Sequence, residues 1–359
     1  MKTHFGIFFL ILTLLISRVL NAQSTIGINL LSGFLINHNK EMQQMKAHVA
    51  GFEIRKQLIG ERTAKPFKNV AFGYTFIFLY MGKPNILGNV LGFIPHFESN
   101  LIKQENYQLR IRYGVGIGYI SKPFSFPNNT KNTAIGSNLN GSMQFMITHD
   151  YKITQQLIFN SSIGLTHFSN GNFKKPNLGI NTPHIGIGLH YIPQKKLKTK
   201  MRVNIANQDK NNWRIMMGVA SKQATIDDKK RLYIYAISAE YTLQRKPGLN
   251  FRFGTDFCLD YSYPYQLFEP SSLTNVKLKQ IAEHAFRVGY EWRVGKIGAI
   301  ADIGVYTIKP LPVKRKYYFS VGFNYYATAR FNAFVKLKTH LSVADYFMWG
   351  IGYRIYGKK

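Results

Sequence analysis

A chain of 359 residues carries 47 Lys and Arg against 17 Asp and Glu, a formal net charge of +30, with 14% aromatic residues and a single cysteine, Cys258. One thiol excludes an internal disulfide framework. No run beyond the N-terminal segment is apolar over the roughly 20 residues that a membrane-spanning helix requires.

The first residues, "MKTHFGIFFLILTLLISRVLNAQS", set Lys2 before an apolar run from Phe5 to Ile16 and small or polar residues before Ala22. That pattern is a secretory signal, residues 1–22, with cleavage expected after Ala22 although Leu20 is bulkier than the site prefers. No cysteine follows the run, so no lipoprotein anchor is expected. An exported basic chain rarely meets nucleic acid. A phosphorylated lipid is therefore the expected polyanionic partner.

Residues 23–359 read as one succession of strands. Helical periodicity is scarce and period-two alternation recurs. "YQLRIRYGVGIGY" places Tyr107, Leu109, Ile111, Tyr113, Val115, Ile117 and Tyr119 on one face, against Gln108, Arg110, Arg112 and three glycines on the other. Before it, Gly82 to Glu105 shows no clear alternation and has room for one further strand. "QLIFNSSIGLTHF" sets Leu157, Phe159, Ile163 and Leu165 on its apolar face, interrupted by Ser161, and "NTPHIGIGLHY" sets Pro183, Ile185, Ile187, Leu189 and Tyr191 there. "RLYIYAISAEYTL", "FRFGTDFCLDY" and "FNAFVKLKTHL" alternate in the same way, their polar faces carrying Glu240, Arg252, Asp256, Asp260, Lys336 and Lys338. The stretches "PQKKLKTK" and "DDKKR" read as basic loops.

A water-soluble sandwich and a membrane barrel both produce such strands. Three features favour the barrel. The strands reach the roughly 9–11 residues that crossing a bilayer requires, tyrosines cluster near strand ends as interfacial girdles do, and the polar face mixes charges of both signs. The expected fold is an all-β, closed antiparallel transmembrane β-barrel of about 14 strands, within a range of about 12–16. Closure satisfies every backbone group without water.

"LTHFSNGNFKKPNLGIN", residues 165–181, interrupts the pattern. His167 and Ser169 continue the apolar face of their strand, and Asn181 shares the parity of the apolar face on the returning strand. Two residues apart on one face, imidazole and hydroxyl lie roughly 6–7 Å apart at their Cα atoms. Polar groups turned toward hydrocarbon are costly and mark a candidate functional site. The competing explanation places them at the membrane boundary, where polarity costs little.

His167, Ser169, Asn170, Lys175-Pro176-Asn177 and Gly179-Ile180 resemble the signature of PagL-type lipid A 3-O-deacylases, outer-membrane barrels also described as acyloxyacyl hydrolases. The resemblance covers about 40 residues, and that family has small eight-stranded barrels, so this chain is much longer than the type. The resemblance implies Ser169 as nucleophile on an ester carbonyl, His167 as its general base and Asn170 as a holder of the developing oxyanion. Where the family has Glu, this chain has Asn181. An amide carbonyl can fix the imidazole tautomer but cannot stabilise imidazolium by charge. Glu240 and Glu291 have the opposite parity, and Asp150 falls near the preceding turn, so no substitute acid is in place. Lys174 and Lys175 are candidate phosphate contacts on lipid A.

The expected function is therefore removal of an ester-linked acyl chain from lipopolysaccharide at the outer membrane, with no metal and no cofactor. The rival readings are a non-catalytic pore or structural barrel that has lost its acid, and a phospholipase with the same nucleophile. "GVGIG" at 114–118 is strand alternation with no helix following, not a phosphate loop. His184, His190 and His340 have lumen parity without the spacing of metal ligands, and Cys258 lies within a strand.

Overall fold

The computed structural model describes residues 24–37, 39–58, 70–193, 211–226, 230–246, 248–267, 276–310, 316–340 and 343–355. The expected signal segment 1–22, the loop "PQKKLKTK" after its first residue and most of "DDKKR" lie outside them.

Among the described residues sixteen strands form, and they close in two sets rather than one. The first set is β1 (Ser24–Phe34), β2 (His48–Leu58), β3 (Val70–Tyr80), β4 (Asn89–Lys103), β5 (Tyr107–Ile120), β6 (Leu139–Lys152), β7 (Leu157–Ser169) and β8 (Ile180–Tyr191). The second is β9 (Asn211–Gln223), β10 (Arg231–Lys246), β11 (Leu249–Asp260), β12 (Ala282–Val294), β13 (Ile297–Ile308), β14 (Tyr317–Tyr326), β15 (Phe331–His340) and β16 (Val343–Ile355). Every neighbour is antiparallel. Each circle is completed by one long-range ladder, β1 with β8 and β9 with β16.

The expectation of a single barrel of about 14 strands is corrected accordingly. Period-two alternation reports which face a residue takes, whereas closure is a pairing between distant strands. A pattern read strand by strand carries no mark of where one circle ends. The stretch without clear alternation holds β4. Its inward residues Val90 and Ile94 are apolar like its outward ones, because they feed an apolar plug at one end of the first barrel.

The walls are inverted relative to a water-soluble sandwich. Outward rows such as Ile26, Ile28 and Leu30 on β1 and Ile185, Ile187 and Leu189 on β8 are apolar and exposed. Charged residues fill the interiors and pair there: Arg112 with Glu53 at 3.0 Å, Arg110 with Asp150 at 2.7 Å, Arg252 with Asp302 at 2.7 Å, Arg287 with Asp256 at 3.0 Å and Lys338 with Glu283 at 2.8 Å. Removing one member of such a buried pair costs about 3–5 kcal/mol. Filled this way, the interiors are braced cores rather than open channels.

In the first barrel the connections at one end (35–47, 81–88, 121–138, 170–179) each run to eight residues or more, whereas at the other end 104–106 and 153–156 are short and 59–69 lies outside the described residues. The long-connection end also holds the plug, where Met42, Met45, Leu79, Met81, Ile135, Phe168 and Ile180 are buried together. The hairpin β7–β8 ends against this plug.

Candidate active site on the outer wall

Along β7 successive side chains alternate between wall and interior. Phe168 points inward and is fully buried in the plug, as is Ile180 across the ladder. Their outward neighbours are His167 and Asn181, which are direct partners in the β7–β8 register. The two polar groups meet there: His167 Nδ1 and Asn181 Oδ1 are 2.7 Å apart. An amide oxygen only accepts, so the imidazole donates through Nδ1–H, and its basic lone pair is placed on Nε2.

Ser169 continues the same outward row and ends the strand. Its exposure is 3%, against 59% for Ile163 in that row, so the top of the wall is covered. Asn177 Nδ2 donates to Ser169 Oγ at 3.0 Å and the Gly171 N–H donates to it at 3.3 Å. The other face of the Asn177 amide accepts the Asn170 N–H at 2.9 Å. The loop therefore wraps back so that one amide ties the nucleophile candidate to the chain that follows it.

Asn170 sits beside Ser169, but its side-chain amide donates to Ser137 Oγ at 2.8 Å and to the Lys174 carbonyl at 2.7 Å. That amide braces the loop. Asn177, which lies within the same motif, stands at the hydroxyl instead. A polar residue in a short Pro-containing turn is of the type that bonds its own loop through its side chain. Gly179 carries φ +84°, and a Cβ there would stand 2.8 Å from His167 Cε1. Only glycine gives the turn its left-handed backbone and the imidazole its room. The backbone around the pair is pinned as well: the Ile36 N–H donates to the Asn181 carbonyl at 2.9 Å, and the Gly179 N–H to the Ala134 carbonyl at 2.9 Å.

The two lysines part ways. Lys174 is exposed on the loop. Lys175 turns toward the second barrel, its Nζ donating to the Ala224 carbonyl at 2.8 Å and its N–H to Gln223 Oε1 at 3.0 Å. Partial burial, and then the nearby Lys222 charge, push its pKa below the ordinary lysine value.

Asp150 lies two residues before the end of β6, near the turn as expected, and is buried inside the first barrel opposite Asn160 on β7. That is seven residues along the strand from His167, about 23 Å at ~3.3 Å per residue. Glu240 and Glu291 are buried inside the second barrel.

Fold and site together define a β-barrel protein with a Ser-His-Asn constellation on an outer wall, at the end with the long connections. Residues 50–190 match the family model described as lipid A 3-O-deacylase (PagL), and residues 211–358 match that described as acyloxyacyl hydrolase, C-terminal domain. Between them the two matches span most of both barrels, and the chain belongs to the PagL-type lipid A deacylase and acyloxyacyl hydrolase family. No curated protein matches the sequence. Solved structures similar to it include Neisserial surface protein A, 8% identical over 48% of this chain and 98% of that one with a TM-score of 0.34. They also include the outer membrane enzyme PagL, 16% identical over 46% of this chain and 99% of that one with a TM-score of 0.30. A deletion mutant of the TodX monoaromatic hydrocarbon channel is 7% identical over 92% of this chain and 89% of that one, with a TM-score of 0.20.

Proposed function

We propose that this chain is an outer-membrane esterase that removes an ester-linked acyl chain from lipid A, using Ser169 as nucleophile and His167 as general base. The single observation that carries the reading is the outward placement of His167, Asn181 and Ser169 together at the loop end of a wall whose outward residues are mostly apolar, Ser161 and His149 near the opposite end being polar as well. Polar groups pay to face lipid, and a hydrolase whose substrate is itself a membrane lipid needs them there.

In this reading the apolar rows contact hydrocarbon and the long-connection end stands at the outer surface, level with the head groups. The Ser169 hydroxyl attacks the ester carbonyl carbon while His167 Nε2 takes its proton. The Asn177 amide and the Gly171 N–H, both at the hydroxyl, are the donors nearest the negative charge that develops. Collapse of the tetrahedral species expels the sugar hydroxyl, which receives the proton from the imidazolium, and leaves an acyl-serine. Water activated by His167 then releases the fatty acid. Asn181 fixes the tautomer without supplying charge. Lys174 is the better placed of the two lysines for a phosphate on the head group, while Lys175 clamps the loop to the second barrel.

The test is mass spectrometry of lipid A from cells expressing the wild type or Ser169→Ala. Loss of one ester-linked chain in the wild type alone is expected, and identical acylation patterns overturn the reading. The pore alternative is not favoured, because paired charges fill both interiors.

A further inference from the structure

A cleft of about 60 Å³ lies between the two barrels, and Ser169 and His167 form part of its lining. On the first barrel the remaining lining includes Val115 and Met143, and on the second Val321, Phe323, Leu337 and Phe347. All of these belong to outward rows, so the cleft is the meeting of two outer walls.

The walls converge toward the loop end. Along β15 exposure falls from 51% at Phe331 to 6% at Leu337, and along β16 it falls from 63% at Trp349 to half-buried Phe347. The same fall runs along β7 from Ile163 to Ser169. The gap is therefore a wedge, open toward the short-turn end and shut at the nucleophile. Polar contacts seal its narrow end: Asn172 Nδ2 donates to the Ala344 carbonyl at 2.8 Å, and the Gln223 N–H to the Asn172 carbonyl at 3.1 Å. Phe347 is seated in a notch of two glycines. A Cβ on Gly141 would stand 2.7 Å from its Cζ, and one on Gly171 would stand 2.6 Å from its Cδ2. Gly141 is the cross-strand partner of Ser169, and Gly171 donates to its hydroxyl.

We infer that the second barrel is one wall of the substrate site: a single acyl chain of the ester lies in the wedge between the barrels, and Phe347 sets which chains reach Ser169. The inference rests on the esterase reading. An ester held at the narrow end, level with the loops, directs its chain down the wedge toward the open end, which is the direction a chain takes from the surface into a leaflet. The lining is apolar apart from the catalytic pair and Ser142, as a hydrocarbon occupant requires.

The experiment compares the purified full chain with Phe347→Ala and Phe347→Trp on 4-nitrophenyl esters from butyrate to palmitate, with Trp349→Ala on the open lipid face as control. The ratio of kcat/KM for long to short chains is expected to move about tenfold toward long chains in the alanine variant and toward short chains in the tryptophan variant. The control is expected to keep the wild-type ratio. In parallel, the wild type is reconstituted in phospholipid vesicles containing an ester lipid with a diazirine halfway along one chain, and crosslinks are mapped by mass spectrometry. Crosslinks at Met143, Leu337 or Phe347 support the inference. Superimposable chain-length profiles, or crosslinks confined to open rows such as Ile163, overturn it while leaving Ser169-dependent hydrolysis intact. Cleft crosslinks without any hydrolysis would instead sink the esterase reading and keep the wedge.

Discussion

His167 and Asn181 face each other across one rung of the β7–β8 ladder, with Nδ1 and Oδ1 2.7 Å apart, an amide at the position where the motif resemblance implies an acid. The contact orients the imidazole but gives no charge to an imidazolium. Asn181→Glu is expected to raise kcat on the lipid substrate by about tenfold or more, since the reverse change in a serine protease costs about 10⁴. Asn181→Ala, which leaves the ring without an acceptor on that rung, is expected to lower it. Single-turnover acylation rates of both variants check this, and a glutamate variant no faster than wild type would show that charge at this rung is irrelevant.

Asn177 bonds the Ser169 hydroxyl through Nδ2 and the Asn170 N–H through Oδ1. If its amide meets developing charge, Asn177→Ala lowers kcat by about 10²–10³ with little change in KM. Asn170→Ala, whose amide ties Ser137 and Lys174 instead, is expected to act on loop order and to raise KM. Steady-state kinetics on the two variants separate these outcomes.

Gly179 is held at φ +84° against the imidazole. Gly179→Ala places a methyl group 2.8 Å from His167 Cε1 in a backbone region that costs an L-residue about 1–3 kcal/mol. A lower urea midpoint and a larger proportional loss of activity are expected. Loss of activity equal only to the loss of folded protein would count against a displaced ring.

Phe168 anchors the hairpin from inside while His167 faces outward. Phe168→Ala is expected to cost about 3–5 kcal/mol, because the plug at that end is fully buried and cannot collapse around the gap. Equilibrium unfolding in lipid vesicles measures it.

Lys175 supplies a pH signature. Burial and the Lys222 charge lower its proton affinity in the folded chain from the ordinary 10.5, so between the lowered value and 10.5 the unfolded chain binds more protons. Stability should therefore rise with pH across that window. In Lys175→Gln the rise should be smaller, and the urea midpoint measured stepwise from neutral to alkaline pH compares the two.

Much of this protein is written locally. A side chain on a strand takes one face or the other by parity alone, so the alternation along "QLIFNSSIGLTHF" and "NTPHIGIGLHY" suffices to put His167, Ser169 and Asn181 on the apolar side and Glu240 and Glu291 inside. The motif at 167–180 sits within one hairpin, where partners are close in sequence, and the β7–β8 register brings its ring and amide together. β4 lies where Gly82 to Glu105 has room for a strand, and its alternation is hard to read because the plug makes Val90 and Ile94 on its inward side apolar too, which erases the contrast that alternation depends on.

What the tertiary structure alone decided are the relationships between distant segments. Closure depends on β1 meeting β8 and β9 meeting β16, ladders joining strands far apart in the chain. Phe347 looks in the sequence like any other outward aromatic of a barrel strand. Its seat against Gly141 and Gly171 exists only because two walls converge there. Local periodicity fixes the direction of a side chain, and what it then encounters depends on packing between surfaces that no short stretch of chain encodes.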